Sequence, residues 1–243
     1  MNFQLPVFSL ISTLFIFNTV SCNAQKTTSE KKNETIATKD VSKAKWHNLL
    51  AGDKLNQWRA WRNGSIDNAS AWTVKNGILH LNKSAENHKV GGNIIALKQY
   101  PNFEFKFEFK ISKAGNSGIK YRSLDNLGLE YQILDDEAAR DNKNPKNRLS
   151  SLYQLVAAPD DKPAKPVGEW NTGRIIANGN NIQHWLNGTK VVEIEIDSDE
   201  WKKAFTQSKY KNKKDFAKQS AEILLQDHGN DVSYRNLLIK ELK

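Results

Sequence analysis

The segment Phe103-Glu104-Phe105-Lys106-Phe107-Glu108-Phe109-Lys110-Ile111 alternates apolar and charged side chains without a break. Successive side chains of an extended chain point to opposite faces, so this period fits a β-strand with one buried and one wet face. A helix would scatter the phenylalanines around its circumference. The charged side chains are expected in water. Such a strand needs partners, and the chain supplies them. Ile182 to Ile196 reads as a hairpin, because Asn187-Gly188 tolerates the positive φ angles of a two-residue turn. Leu129, Tyr131 and Ile133 form one face of another strand, with Glu130 and Gln132 on the other. Gly115-Asn116-Ser117-Gly118 reads as a turn before an extended Ile119–Arg122. Ile223–Gln226 and Tyr234–Ile239 repeat the pattern near the end. The predicted class is all-β, antiparallel, sandwich or barrel. Two segments resist it: 135–148 is too polar for a core strand and reads as a loop or short helical turn, and Asp199–Gln207 suits a short helix with Trp201 and Phe205 on one face.

The domain begins near Trp46 and is predicted over residues 45–243. The first 21 residues carry no charge and contain the apolar run Val7–Phe17, too short to span a bilayer comfortably and suited to an export signal. Cys22, the single cysteine, follows it, so no internal disulfide can form. The segment resembles a lipoprotein signal in which Cys22 becomes the lipidated first residue, although Thr19 and the uncharged start depart from the usual pattern. An ordinary signal cut near Ala24 is the alternative. Residues 23–44 hold no aromatic and read as a tether. The expected location is the bacterial periplasm or cell surface, anchored to membrane by lipid.

A formal charge of +9 invites a nucleic-acid reading. The lysines are interleaved with acids rather than gathered where phosphates would meet them, so no nucleic-acid partner is expected.

The polar residues suit carbohydrate. Glu130 and Gln132 share a strand face, with Asp135 at the strand end. Glu169-Trp170-Asn171 follows a proline-bearing loop, Gln226 precedes His228, and His184 sits on the hairpin. Cleavage of a glycoside needs carboxylates or imidazole for proton transfer, amides and arginine for hydroxyls, and aromatic faces for the ring. These same residues also suit turns and strand ends. Oxygen ligands from Glu130, Asp135 or Glu169 would suit a divalent cation, though no zinc spacing occurs.

The ordered series Trp72-Thr73-Val74-Lys75-Asn76-Gly77-Ile78-Leu79, Tyr100-Pro101-Asn102-Phe103, Gly115-Asn116-Ser117-Gly118-Ile119, Glu130-Tyr131-Gln132-Ile133-Leu134-Asp135, Gly168-Glu169-Trp170-Asn171, His184-Trp185-Leu186-Asn187-Gly188 and Gln226-Asp227-His228-Gly229 resembles the 3-keto-disaccharide hydrolase family over Trp46 to Leu242. The resemblance implies a concanavalin A-like jelly-roll sandwich with a sugar site on a concave face, and substrates oxidised to a ketone at C3 of the sugar. That ketone acidifies the C2 hydrogen, which permits elimination of the C1 substituent followed by hydration. Under this reading His228 or Glu130 takes the C2 proton, and Glu169 or Asp135 serves as acid or cation ligand. Arg122, Gln132, Tyr153, Asn171, His184 and Gln226 contact the substrate. A carbohydrate-binding module without catalysis is the alternative, since one fold serves both.

Overall fold

The computed structural model describes residues 45–62, 64–66, 71–83, 92–124, 126–218 and 220–243. The leader, Cys22 and the tether lie outside the described residues. Among the described residues, no helix is long and apolar enough to cross a membrane.

Thirteen strands follow in chain order: β1 (His47–Asn48), β2 (Trp58–Ala60), β3 (Trp72–Lys75), β4 (Ile78–Leu81), β5 (Ile94–Tyr100), β6 (Phe103–Ile111), β7 (Asn116–Leu124), β8 (Leu127–Leu134), β9 (Asn171–Asn178), β10 (Asn181–Leu186), β11 (Thr189–Glu195), β12 (Ala221–Leu225) and β13 (Val232–Glu241). The one α-helix among the described residues, α1, covers Asp199–Gln207. The strands make two antiparallel sheets. The larger runs β11-β10-β9-β6-β13-β4-β3 with β1 beside β13; the smaller runs β2-β5-β12-β7-β8.

The alternation of β6 does what its period requires. Phe103, Phe105, Phe107 and Phe109 are at most 2% exposed and face the smaller sheet, where Tyr121 and Tyr131 meet them edge-on. Burying each such ring contributes about 1.5–3 kcal/mol. Gly173 on β9 leaves room for them: a Cβ there would lie 2.2 Å from the Phe107 ring. The outer face of β6 is less wet than its charges suggest. Glu104 is buried and paired with Lys240 at 2.7 Å, Arg174 at 2.8 Å and Lys106 at 3.7 Å, because a buried carboxylate must find cations.

The Asn187-Gly188 turn has φ of 47° and 87°, as its hairpin demands. The helix forms where expected. Ser198 caps it by accepting from the Trp201 amide, and Trp201 stacks on Phe205 with ring centres 6.1 Å apart. Phe216 and Tyr210 extend this aromatic stack and fix the 208–218 segment against the domain. Residues 135–148 form turns and one short 3-10 helix at Pro145–Asn147.

One turn falls elsewhere than the glycines suggest. The chain reverses at Ser112–Gly115, where the Gly115 amide bonds to the Ser112 carbonyl, and Asn116 already begins β7. Gly118 is therefore a mid-strand glycine.

Candidate active site

Strand pairing brings two rows of side chains onto the outer face of the smaller sheet. In antiparallel pairs, directly opposed residues share a face. Leu224, Lys120 and Glu130 are opposed across β12, β7 and β8, and Gly118 lies opposite Gln132. Gln226 follows β12 and donates its amide to the Gly118 carbonyl, so it stands beside that glycine. A Cβ at Gly118 would lie 2.5 Å from Oε1 of both Glu130 and Gln226, which means both side chains cross above it. The glycine provides space rather than a bend.

The 149–156 segment completes one wall. Its amides and carbonyls pair with the edge of β8: Ser150 with Gln132, Gln132 with Ser151, and the Tyr153 amide with the Glu130 carbonyl. That pairing places Tyr153 beside Glu130, and its hydroxyl donates to Asp141 Oδ2 at 2.9 Å. The segment after α1 adjoins this wall, where the Lys209 ammonium lies over the rings of Tyr153 and Tyr210 at 4.4 and 5.3 Å.

Glu130 is 4% exposed. Burial pushes its carboxyl up to about 7, against the pull of Lys120, Lys209 and a hydrogen bond from Gln226. Burial lowers the Lys120 ammonium, which stands 3.8 Å from Glu130 Oε2. Both partners move toward neutrality, so desolvation outweighs their attraction across that gap. His228 lies at the exposed rim. Its imidazole is lowered first by desolvation and then by Lys120, while Asp227 and Asp141 act in the opposite sense. Glu130 and His228 respond to the same three charges, Lys120, Asp141 and Lys209, and so belong to one cluster.

Asp227 shapes the turn that presents His228. Its carboxylate accepts from the amides of Gly92 at 2.7 Å and Gly229 at 2.8 Å, and from Lys83 Nζ at 3.0 Å. Asn93 Oδ1 takes the Asp227 amide at 2.9 Å. Within the cluster, Oε1 of Gln132 and Oε1 of Gln226 are buried with no hydrogen-bond partner among the described residues. Each such orphan costs about 1–3 kcal/mol, a cost that sugar hydroxyls would remove.

Of the residues the sequence singled out, Glu130, Gln132, Tyr153, Gln226 and His228 meet here. The others do not. Glu169 is exposed on the loop before β9 and lies next to Trp170, whose ring packs under Arg235 at 4.2 Å on the larger sheet. Asp135 is occupied by amides. Burial acts to raise it, but Ala114 at 2.7 Å, Glu137 at 3.0 Å and Ala138 at 3.2 Å hold its carboxyl below the usual range. Asn171 ties loops together, accepting from the Lys165 amide and the Asn187 side chain. Arg122 turns away at a bulge with φ 46° and binds the Pro101 carbonyl and Asn102 side chain. His184 is fully buried between the sheets, bonded to the Tyr121 hydroxyl at 2.7 Å and the Ser150 carbonyl at 3.0 Å. The carboxylates considered for a cation, Glu130, Asp135 and Glu169, are therefore dispersed. Among the described residues, no three His, Cys, Asp or Glu side chains are grouped to share an ion.

Lys120, Asp141, Lys209 and Tyr210 join the cluster without having been singled out. Lys120 carried one signal, its place on the same extended segment as Ile119. Asp141, Lys209 and Tyr210 sit in polar loops with no periodicity to mark them.

Gly118→Ala is expected to displace Glu130 and Gln226 and cut kcat/KM about 100-fold, the scale of an ångström-sized misplacement, with little loss of far-UV ellipticity. Full activity in that variant would show that the two side chains need not lie together.

These features define an antiparallel sandwich of the concanavalin A-like type, with a buried acid, a neighbouring lysine and a rim imidazole on one sheet. Residues 45–240 match the 3-keto-alpha-glucoside-1,2-lyase-like domain, and the chain belongs to that family. It is 32% identical over 227 residues to a 3-keto-disaccharide hydrolase of Bacteroides thetaiotaomicron, covering 80% of this chain and 77% of that one. Two crystal structures of candidate glycosyl hydrolases from Parabacteroides distasonis share the fold. One has a TM-score of 0.70 at 24% identity, covering 82% of this chain and 94% of the other. The second has a TM-score of 0.63 at 26% identity, covering 82% and 100%.

Proposed function

We propose that this protein cleaves glycosides bearing a ketone at C3, by proton removal from C2, elimination of the C1 substituent and addition of water. The observation that supports this reading is a buried carboxyl and a rim imidazole, both near Lys120, displaced in opposite directions. Glu130 is raised to about 7 and His228 is lowered. An acid kept protonated beside a base kept neutral is the arrangement such chemistry requires near neutral pH. Family membership supplies the substrate class.

The imidazole of His228 takes the C2 proton, and the electron pair of that bond moves to form an enolate with the C3 oxygen. As the carbonyl re-forms, the C1–O bond breaks, and protonated Glu130 gives its proton to the departing oxygen. Water then adds to C1, losing its proton to the Glu130 carboxylate, while His228 returns a proton to C2. The sum is hydrolysis. Gln132, Gln226 and Tyr153 hold hydroxyls, with the orphaned amide oxygens as acceptors.

A panel of plain and 3-keto glycosides tests the reading. Cleavage is expected for keto compounds alone, and kcat/KM should fall with one-proton slope above about pH 7 as Glu130 loses its proton. Equal cleavage of plain glycosides would overturn it.

A further inference from the structure

Lys120 is an odd residue for this position. Its side chain is 11% exposed in the middle of a sheet, where burial disfavours a cation. It is nonetheless held in place. Nζ donates to the Asn126 carbonyl at 2.8 Å and to Asn126 Oδ1 at 2.9 Å, and Asn93 Nδ2 reaches the same Oδ1 at 3.4 Å. An ammonium has three donors, so two are used on Asn126 and one remains. Glu130 Oε2 lies 3.8 Å from Nζ, beyond a hydrogen bond. The anchored lysine thus keeps one donor for something that enters between it and Glu130. Asn93 also takes the Asp227 amide, so one asparagine links the lysine clamp to the turn that carries His228.

We propose that Lys120 is a catalytic residue whose ammonium donates its remaining hydrogen bond to the C3 oxygen of the keto sugar and stabilises the enolate formed when C2 is deprotonated. The inference rests on the keto-glycoside reading above. Charge accounting favours it. When Glu130 carries its proton, the buried ammonium has no full counter-charge from that side, and the developing enolate oxygen supplies one. A fixed cation aimed at charge that appears only along the reaction stabilises the transition state more than the ground state. No atom is transferred to or from Lys120: the proton goes from C2 to the imidazole, the electron pair goes to oxygen, and the ammonium stays intact.

Exchange of the C2 hydrogen with deuterium, followed by NMR on methyl 3-keto-α-glucoside in D2O, reads this step apart from C1–O cleavage. Lys120→Met is expected to slow exchange about 10²- to 10³-fold, the scale of a lost oxyanion donor. Inhibition by the plain methyl glucoside should weaken far less than exchange slows, because its C3 hydroxyl accepts the same hydrogen bond but develops no charge. Asn126→Gly keeps the left-handed backbone at this position (φ 64°) but removes one anchor of Nζ, and should slow exchange about tenfold. If Lys120→Met fails to fold, Asn126→Gly carries the test. Exchange at the wild-type rate in the folded variant overturns the role of Lys120. Equal weakening of plain-glucoside inhibition would make Lys120 a structural or ground-state binding group and also overturn it. Absence of both exchange and cleavage in the wild type would instead sink the keto-glycoside reading itself.

Discussion

Glu130→Gln is expected to lose kcat by about 10²- to 10⁴-fold, the usual worth of a positioned acid or base, while gaining stability as the pH rises. The two effects have one cause. Burial lifts the Glu130 carboxyl from 4.5 to about 7, so the folded protein holds a proton that the unfolded chain releases over this range. Folding is therefore opposed as pH rises through 4.5, and the penalty is complete above about 7, where it amounts to about 3 kcal/mol. Glutamine matches the protonated carboxyl in size and never ionises. Urea midpoints of the two proteins should be alike near pH 4 and diverge in favour of the variant by pH 8. A variant with wild-type turnover would remove Glu130 from the chemistry, and a gap independent of pH would remove the buried-carboxyl account.

His184→Ala is expected to destabilise the domain by about 3–5 kcal/mol and leave the KM of the folded protein within twofold. The Ser150 carbonyl can only accept, so Nδ1 carries the hydrogen and Nε2 accepts from the Tyr121 hydroxyl. Alanine would leave both groups orphaned and open a cavity against Tyr131, whose ring centre is 4.7 Å away. Burial lowers this imidazole to about 4, so its stabilising contribution is full above 6.5 and fades as pH falls toward 4. Glu130 and His184 therefore give opposing slopes between about pH 4.5 and 6.5, and Glu130→Gln should unmask a rise in stability with pH that the wild type hides. Urea titrations across that range check it. A raised KM with an unchanged midpoint would place His184 at the substrate instead.

The sheets were legible because their signals are local. Period two in β6 and the Asn187-Gly188 turn need no knowledge of distant chain. The site was half legible, and the reason is register. Leu124 pairs with Leu127 across the β7–β8 turn, and continued regular pairing would set Lys120 opposite Tyr131. Instead Arg122 and Ser123 together oppose Gly128, and beyond them Lys120 meets Glu130. One extra residue moves a side chain to the other face, and nothing in the local alternation announces it. Gly118 misled for a related reason: glycine punctuates turns, yet it also marks places where other side chains must pass close to the backbone. Glu169, Asp135 and Asn171 looked functional because exposed loops and strand ends carry the same polar residues as sites do. Their contacts, amides for Asp135 and loop ties for Asn171, depend on tertiary placement.

β12 lies between β5 and β7, although it begins at Ala221, long after β7 ends at Leu124, and, of the described strands, only β13 comes after it. A polypeptide emerging amino end first would hold β7 and β8 long before residues 221–228 arrive to separate β5 from β7 and deliver Gln226 and His228. Until that late insertion, the half-built sheet lacks Gln226 and His228 and has an unfilled seam beside Lys120. Under the proposed mechanism, competence therefore waits on the synthesis of β12 and the turn after it, and a chain truncated before β12 would be both inert and prone to pair its open seam with another molecule.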